Sequence, residues 1–482
     1  MKNLTVIILA ILMVNSVFCQ TSADVLRYSR IYYSGTARFV GTGGAFGAVG
    51  ADFSALAVNP AGIGLYQSSE FSMTIAPSVE NTRAEYMGLS GTNSIVDFGM
   101  GNVGFVFTFK PNPGKTSGLL NFNVGFGMNR QNDFNSSFYI EGPNHSSSLL
   151  NVYTDKLNNT PGSKPSDYPF DIGPAYDASL IYQNSVTHKY TSDMPNGGAY
   201  QSKQVNTYGS INEFDIIMGG NISDKLYFGI TFGIPFIRYY ENSSYSEKDK
   251  GDSIRYFQSM YYDYHLDTHG TGFNIKGGVI YRPVNWFRVG IAVHSPTWYA
   301  SMHDYWYSNT TANYDSVLTN NTQPSPVGDY YYRLMTPFRA IGSLAFIIGN
   351  FGLVSAEYEY INYSQGRLNA SDYSFSDVNN EVKSSFQSWG NVRVGTEWRI
   401  FDFRLRAGGA YYSNPYTASG VDGSRFTVSG GVGYRIKHFY TDVTYQYAQS
   451  VEDYYLYNYQ GMVPSKNTYS THTVLTTIGF RF

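Results

Sequence analysis

The 482-residue chain is short of charge. Asp, Glu, Lys and Arg together make up 14 % of it, against about 25 % in ordinary soluble domains. Neither sign dominates: 33 basic and 36 acidic residues leave a formal net charge of −3. With no cationic excess to neutralise phosphates, composition argues against a nucleic-acid partner. Cysteine occurs once, as Cys19. It ends a segment with the parts of a secretory signal: Lys2, the apolar run Leu4–Val14, and a small-residue exit before Gln20. Cleavage before Gln20 makes residues 1–19 a signal peptide and leaves a mature chain with no disulfides and no thiol chemistry. Acylation of Cys19 is the alternative, and bulky Phe18 just before it fits that poorly. Long hydrophobic runs are also missing. Leu4–Val14 falls well short of the roughly 20 residues a membrane-spanning helix needs, and the longest later stretch, Leu344–Val354, is broken by Asn350 and by glycines. These absences leave an exported chain without membrane helices.

What the chain has is aromatics and glycine. Aromatic residues reach 17 %, with 45 Tyr, 32 Phe and 49 Gly, while mean hydropathy is negative. That mixture suits strands with one face toward lipid and the other toward a wet lumen. The C-terminus carries the pattern. His472, Val474, Thr476, Ile478, Phe480 and Phe482 alternate with Thr473, Leu475, Thr477, Gly479 and Arg481, a period of two with one mainly apolar face. Similar alternation runs through 120–129, 225–236, 391–400, 426–437 and 439–447. Each segment matches the roughly 9–11 residues a tilted strand needs to cross lipid.

Strands are predicted near 69–79, 95–109, 119–131, 211–222, 225–240, 268–282, 286–298, 333–348, 351–363, 386–400, 402–412, 424–436, 438–449 and 470–482. Several meet across one or two residues, while the alternate connections are long, which is the asymmetry of a bacterial barrel. The Tyr-rich stretch 252–267 reads as a hairpin extension beyond the membrane. The fold class is therefore all-β: a transmembrane antiparallel β-barrel of about 14 strands over residues 69–482, with long extracellular loops. A soluble sandwich or propeller would need its strand faces covered and would rarely have such lopsided loops.

Residues 20–68 do not alternate. Gly41, Gly43 and Gly47 suggest a dinucleotide loop, but the sixth position of that motif is Phe46 and no parallel-sheet unit surrounds it. Ala51–Val58 is predicted as a short helix ended by Asn59-Pro60. The run TARFVGTGGAFGAVGADFSALAVNPAG, followed by fourteen strand-like segments and a terminal Phe, resembles the FadL/TodX family of outer-membrane transporters for hydrophobic compounds, in its Bacteroidota-like version. The most specific part is Asn59, Pro60, Ala61 and Gly62, which match an Asn-Pro-Ala motif in the family's N-terminal hatch; the Gly-Ile-Pro-Phe run at 233–236 adds support. The resemblance implies that residues 20–68 plug the lumen and that ligand leaves sideways through a gap in the wall.

A wide lumen must be filled or wet, and small residues let a plug approach the wall closely. The inward rows carry Glu357, Glu359, Arg393, Glu397, Arg399, Arg404, Arg406, Arg435 and Asp442. They are expected to form an ion-pair lattice that seats the plug; in the sharper reading some of the arginines meet a ligand carboxylate. Pro235, with Gly233, marks a break in a strand and a candidate lateral gate, because proline cannot donate to the ladder; a harmless bulge is the bland alternative.

The eight His residues show no HExxH or paired Cys-His pattern, and His265 and His269 sit four apart in extended chain. They are read as surface or loop residues, with no metal and no cofactor, although haem as cargo stays open because some proteins of this type carry haem-receptor labels. No Ser-His-Asp arrangement stands out, and the chain is read as not an enzyme. The expectation is an outer-membrane channel for passive uptake of hydrophobic small molecules, long-chain fatty acids or aromatic compounds. Its expected partners are the lipid bilayer and an apolar ligand. The alternative is a barrel subunit of a secretion or assembly complex that holds other proteins by its loops.

Overall fold

The period-two segments pair in sequence order and close on themselves. The computed structural model describes residues 20–482 apart from 112, 113, 115, 145, 195–198 and 316–319; the signal segment, Cys19 and His145 lie outside the described residues. The wall strands are β1 (Glu70–Tyr86), β2 (Leu89–Phe109), β3 (Leu119–Asp133), β4 (Ala199–Ile222), β5 (Leu226–Lys248), β6 (Phe257–Val284) and β7 (Phe287–His294). They continue as β8 (Arg339–Ile348), β9 (Gly352–Asn362), β10 (Ser388–Ile400), β11 (Phe403–Tyr412), β12 (Arg425–Ile436), β13 (Phe439–Tyr454) and β14 (Ser465–Arg481). Every neighbouring pair is antiparallel, and β14 returns to β1 with Glu70 opposite Arg481 and Phe71 opposite Phe480. The result is a closed barrel of 14 strands.

One end of the barrel has tight turns, at 223–225, 285–286, 349–351, 401–402 and 437–438. In the three-residue loop 223–225 Ser223 and Asp224 both take positive φ, 56° and 54°, and Lys225 N donates to Ile222 O at 3.1 Å, the left-handed backbone that tight hairpin turns favour. Outward residues near this end are apolar and exposed: Ile75, Phe98, Ile230, Val279, Leu344, Trp398, Val432 and Ile478 among them. The upper edge of this band runs through Phe236, Phe273 and Trp298. Inward neighbours are small or polar and buried, such as Thr74, Asn102, Asn123, Thr231 and Thr477.

The strands run further than the alternation predicted. β1 and β2 continue to a turn at Met87-Gly88 rather than ending near 79 and 95, and 257–267 belongs to β6. Beyond β7 the chain resumes as strand at Trp298–Tyr314 and returns at Asn321–Pro324 and Gly328–Met335 before β8. Above the apolar band no lipid imposes a hydrophobic face, so Tyr, Asn and Ser fill both sides and the period fades while backbone pairing persists. A cap closes this end. The helix α3 (Leu149–Asn159) and the short α4 (Ile172–Asp177) pack Leu150, Tyr153, Ile172 and Ile181 against Met260, Leu456 and Tyr457. Buried Glu247 anchors the start of α3: its carboxylate accepts from Ser148 Oγ at 2.6 Å, Leu149 N at 2.7 Å and the Tyr245 hydroxyl at 2.5 Å. Burial pushes this carboxyl above its ordinary value.

Candidate functional site

Residues 20–68 lie inside the ring of strands. The first part is a helix, α1 (Ser22–Ser29), and a second short helix, α2 (Ala37–Gly41), follows. The helix predicted over Ala51–Val58 is instead a single 3₁₀ turn, Ser54–Ala57, with a second 3₁₀ turn at Pro60–Leu65. Asn59 therefore separates two tight turns rather than ending an α-helix. It caps the second: its Oδ1 accepts from Ala61 N at 3.1 Å, while its Nδ2 donates to Gly47 O at 2.8 Å. Pro60 follows at the first position of that turn, where its missing N–H costs nothing. Asn59, Pro60, Ala61 and Gly62 are all buried.

Small residues permit the close fit. A Cβ on wall Gly278 would lie 2.0 Å from Asn59 Oδ1, and one on Gly229 would lie 2.2 Å from Pro60 O. Gly43 has φ +64°, and a Cβ there would strike Gly409 and Val394 O within 2.7 Å. Polar contacts fix the segment around the ring. Asn123 donates to Ile63 O at 2.5 Å and Asn121 to Tyr66 O at 2.8 Å. Arg288 reaches Val49 O at 2.8 Å, Ser429 Oγ donates to Val40 O at 2.7 Å, and Ala37 N donates to Thr477 Oγ1 at 2.7 Å. His294, read from sequence as a loop residue, is buried on β7, and its Nε2 lies 2.8 Å from Val58 O. It is wall-to-segment packing, because the strand carries it inward rather than into the loop beyond.

The inward charges form three groups. In the first, Glu397 takes both Arg38 of the inner segment, at 2.8 and 3.0 Å, and Arg406 Nε at 2.7 Å; Arg406 also reaches Asp442 at 2.7 Å. In the second, Arg393 pairs with Glu357 at 2.9 Å and Glu359 at 2.6 Å, Arg339 joins Glu359 and Ser29 O, and Glu357 accepts Gly47 N at 2.9 Å. In the third, Lys276 pairs with Glu213 and lies 3.5 Å from Asp215. Arg393, Glu357, Glu359 and Arg406 are essentially without exposed surface. Three expected members do not join. Arg399 is exposed and Arg404 donates to the carbonyls of Phe401 and Phe403, because both sit at the β10–β11 turn below the inner segment. Arg435 lies half-buried over the Tyr440 ring at 5.3 Å. Arg38, Arg339, Lys276, Glu213 and Asp215 were missed: Arg38 lies outside the alternating segments and its pairing with Glu397 spans 359 residues, while the wall pairs depend on strand register, which alternation alone does not give.

Pro235 faces inward beside Glu213 on the β4 side. On the β6 side the ladder skips Ile234 and Pro235, resuming at Phe236 opposite Thr271. Gly233 is packed against Asn274 and Glu213. The interruption is thus two residues long. A longer one lies between β2 and β3. Their ladder ends at Asn102 opposite Asn129, and above it β2 pairs with β1 alone. Side chains close the seam instead: Arg130 pairs with Asp97 at 3.0 Å and Asn93 donates to Ser137 at 2.9 Å. Outside it, Val96, Phe98 and Met100 are exposed. Inside it lies a cavity of about 90 Å³ whose lining includes Tyr32 and Tyr33 of the inner segment, Asp97, Arg130 and Arg425. Arg425 covers the Tyr32 ring at 4.6 Å, and its Nε is buried without a hydrogen-bond partner.

No family model matches the chain, and no curated protein matches it in sequence. Solved structures do match in fold. The chain is similar to a Pseudomonas aeruginosa FadL homologue at a TM-score of 0.57, 11 % identity, covering 94 % of this chain and 100 % of the other. It is similar to the Pseudomonas putida toluene transporter TodX at 0.55 and 12 %, covering 94 % and 100 %. With the Ralstonia pickettii toluene transporter TbuX the values are 0.50 and 15 %, covering 94 % and 99 %. At these identities the likeness establishes the fold: a closed 14-strand barrel.

Proposed function

We propose that the chain is an outer-membrane channel for passive uptake of small hydrophobic molecules, with residues 20–68 as its plug. The observation that carries this reading is the unladdered β2–β3 seam, with a plug-lined cavity on its inner side and apolar side chains on its outer side. A solute crossing there exchanges the lumen for lipid by parting side chains rather than a backbone ladder. This seam is a better lateral exit than the two-residue interruption at Pro235, which is backed by the Lys276 ion pairs. Of the charged groups lining the cavity, Asp97 and Asp133 pair with Arg130, which leaves Arg425 facing Glu80. A fatty-acid carboxylate would compete with Glu80 for Arg425, and that contact is what would favour the acid over a bare hydrocarbon. The fold likeness to toluene transporters and a FadL homologue supports the same class.

The test is uptake into vesicles by the purified barrel, comparing a fluorescent fatty acid with its uncharged methyl ester. Wild type is expected to pass both, and Arg425→Ala to lose the acid selectively. Equal permeability of protein-containing and empty vesicles to both would overturn the channel. A second reading, a subunit of a larger assembly, is favoured by the packed outer cap built on α3 and Glu247; it predicts stable stoichiometric partners on purification in mild detergent and no apolar ligand.

A further inference from the structure

The outer face of the wall carries a second feature, above the apolar band. On β4, β5, β6 and the strand Trp298–Tyr314, two adjacent rungs face outward. One is Asn206–Asn242–His265–Tyr307 and the next begins with Gln204 and Ser244 and ends with Asp263 and Asn309. They line a surface groove of about 320 Å³. His265 Nδ1 lies 2.7 Å from Asn242 Oδ1, and the His265 and Tyr307 rings stack with centroids 4.9 Å apart and planes at 29°.

The chemistry of the groove is selective. Its side chains are amides, two serine hydroxyls, one carboxylate, an imidazole and two phenols; Lys and Arg are absent from its lining, and so are aliphatic side chains. An anion finds no fixed cation there, and a hydrocarbon finds no apolar wall. A polyhydroxylated, uncharged ring finds both of its needs. Amides offer paired donor and acceptor atoms to neighbouring hydroxyls, and a carboxylate accepts from two. Tyr307 supplies a flat amphipathic surface for the C–H face of the ring.

The position of the groove selects the occupant. Down the same strands the outward residues change from these polar rungs to Tyr240, Asp267 and Tyr305, then to exposed Arg238 with His269 and His303, and then to Phe236, Phe273 and Trp298 at the edge of the apolar band. At about 3.3 Å per residue along a tilted strand, Tyr307 stands roughly 20 Å above Trp298. The groove is continuous with the lipid-facing surface and sits where the sugar of an outer-leaflet glycolipid must stand if its acyl chains pack on that surface.

We propose that this groove binds the saccharide headgroup of an outer-leaflet glycolipid, with Asn242, Asp263 and Tyr307 as its principal contacts. The proposal rests on the outer-membrane reading above, but not on transport. Its test is native mass spectrometry of the detergent-solubilised barrel after incubation with rough-type lipopolysaccharide, its deacylated oligosaccharide, or phosphatidylglycerol. Wild type is expected to retain the lipopolysaccharide at least tenfold better than phosphatidylglycerol, and to show weak binding of the oligosaccharide. Tyr307→Ala and, separately, Asn242→Ala with Asp263→Ala are each expected to reduce retention about tenfold while the heat-modifiable gel shift of the folded barrel is unchanged. Two variants on an exposed face guard against one failing to fold. Equal retention of both lipids by wild type, or equal lipopolysaccharide retention by wild type and both variants, would overturn the proposal. Vesicle uptake measured in parallel separates the two readings: lost glycolipid binding with intact uptake falls on the groove alone, and retained binding without uptake falls on the channel alone.

Discussion

The wall meets residues 20–68 in two different ways. From β8 to β13 it does so with buried ion pairs: Arg38 and Arg406 on Glu397, and Arg393 between Glu357 and Glu359. Between β2 and β3 it presents a part-buried salt bridge, two strands with no ladder between them above Asn102, and a cavity. A charge taken out of water is held only where its partner stays in place, so the first region cannot move without a large penalty. The second can, because a partly solvated pair is worth little and its backbone groups are not in a ladder. On the function proposed above, a plugged barrel that passes solute needs one fixed side and one yielding side, and the two kinds of contact lie on separate strands.

The largest effect is expected from breaking the fixed side. Arg393→Ala leaves buried Glu357 with no cation among the described residues and Glu359 with Arg339 alone, and should cost about 3–5 kcal/mol. It should be read as a lower denaturant midpoint in the gel-shift assay, together with vesicle leakage as the plug loosens. An unchanged midpoint would mean that Glu357 and Glu359 do not depend on this pair. Next comes the contact between plug and wall glycines. Gly278→Ala places a Cβ against Asn59 Oδ1 and should cost about 1–3 kcal/mol by overpacking. Asn59→Ala removes the cap of the second turn, worth about 1 kcal/mol. The double variant is expected to cost less than the sum, since the clash needs the amide; strict additivity would place the clash elsewhere.

On the yielding side the sizes reverse. Asp97→Asn should lower stability by about 0.2–1 kcal/mol, yet raise fatty-acid flux through vesicles severalfold. A stability loss as large as that of Arg393→Ala, or unchanged flux, would erase the distinction between the regions.

How much of this was legible follows from which force acts where. Lipid imposes a hydrophobic face, so wall strands such as β12 and β14 were readable from alternation alone. Above the band nothing imposes it, and Trp298–Tyr314 and the ends of β1 and β2 were lost among Tyr, Asn and Ser. Within the lumen, parity assigned a face but not a height. It put Arg393, Glu397 and Arg406 on inward rows, where the structure buries them, and it put Arg399 and Arg404 there too, which lie at the β10–β11 turn below residues 20–68. Arg38 was invisible as a partner because a lone cation in a run of small residues carries no period. The seam was unreadable because β2 and β3 both alternate; only their register shows that they part above Asn102. Pro235 gave the stronger local signal and the smaller interruption.

A third kind of contact lies between the two regions, at the start of the plug. Asp304, inward-facing and above the apolar band, accepts from Gln20 Nε2 at 2.5 Å, Thr268 Oγ1 at 2.7 Å and the Tyr332 hydroxyl at 3.3 Å. It makes no ion pair among the described residues, and burial pushes its carboxyl up from 3.8 to about 6. The folded state therefore holds a proton that the unfolded state has released. Stability from this site is fully present below about pH 3.8 and falls as pH rises to about 6, after which it is constant. Asp304→Asn keeps the hydrogen-bonding shape and removes the titration, so its midpoint relative to wild type should rise across that interval and stay flat on either side. A parallel pair of pH profiles would mean that Asp304 is solvated, and that Gln20 is held no more firmly than the seam.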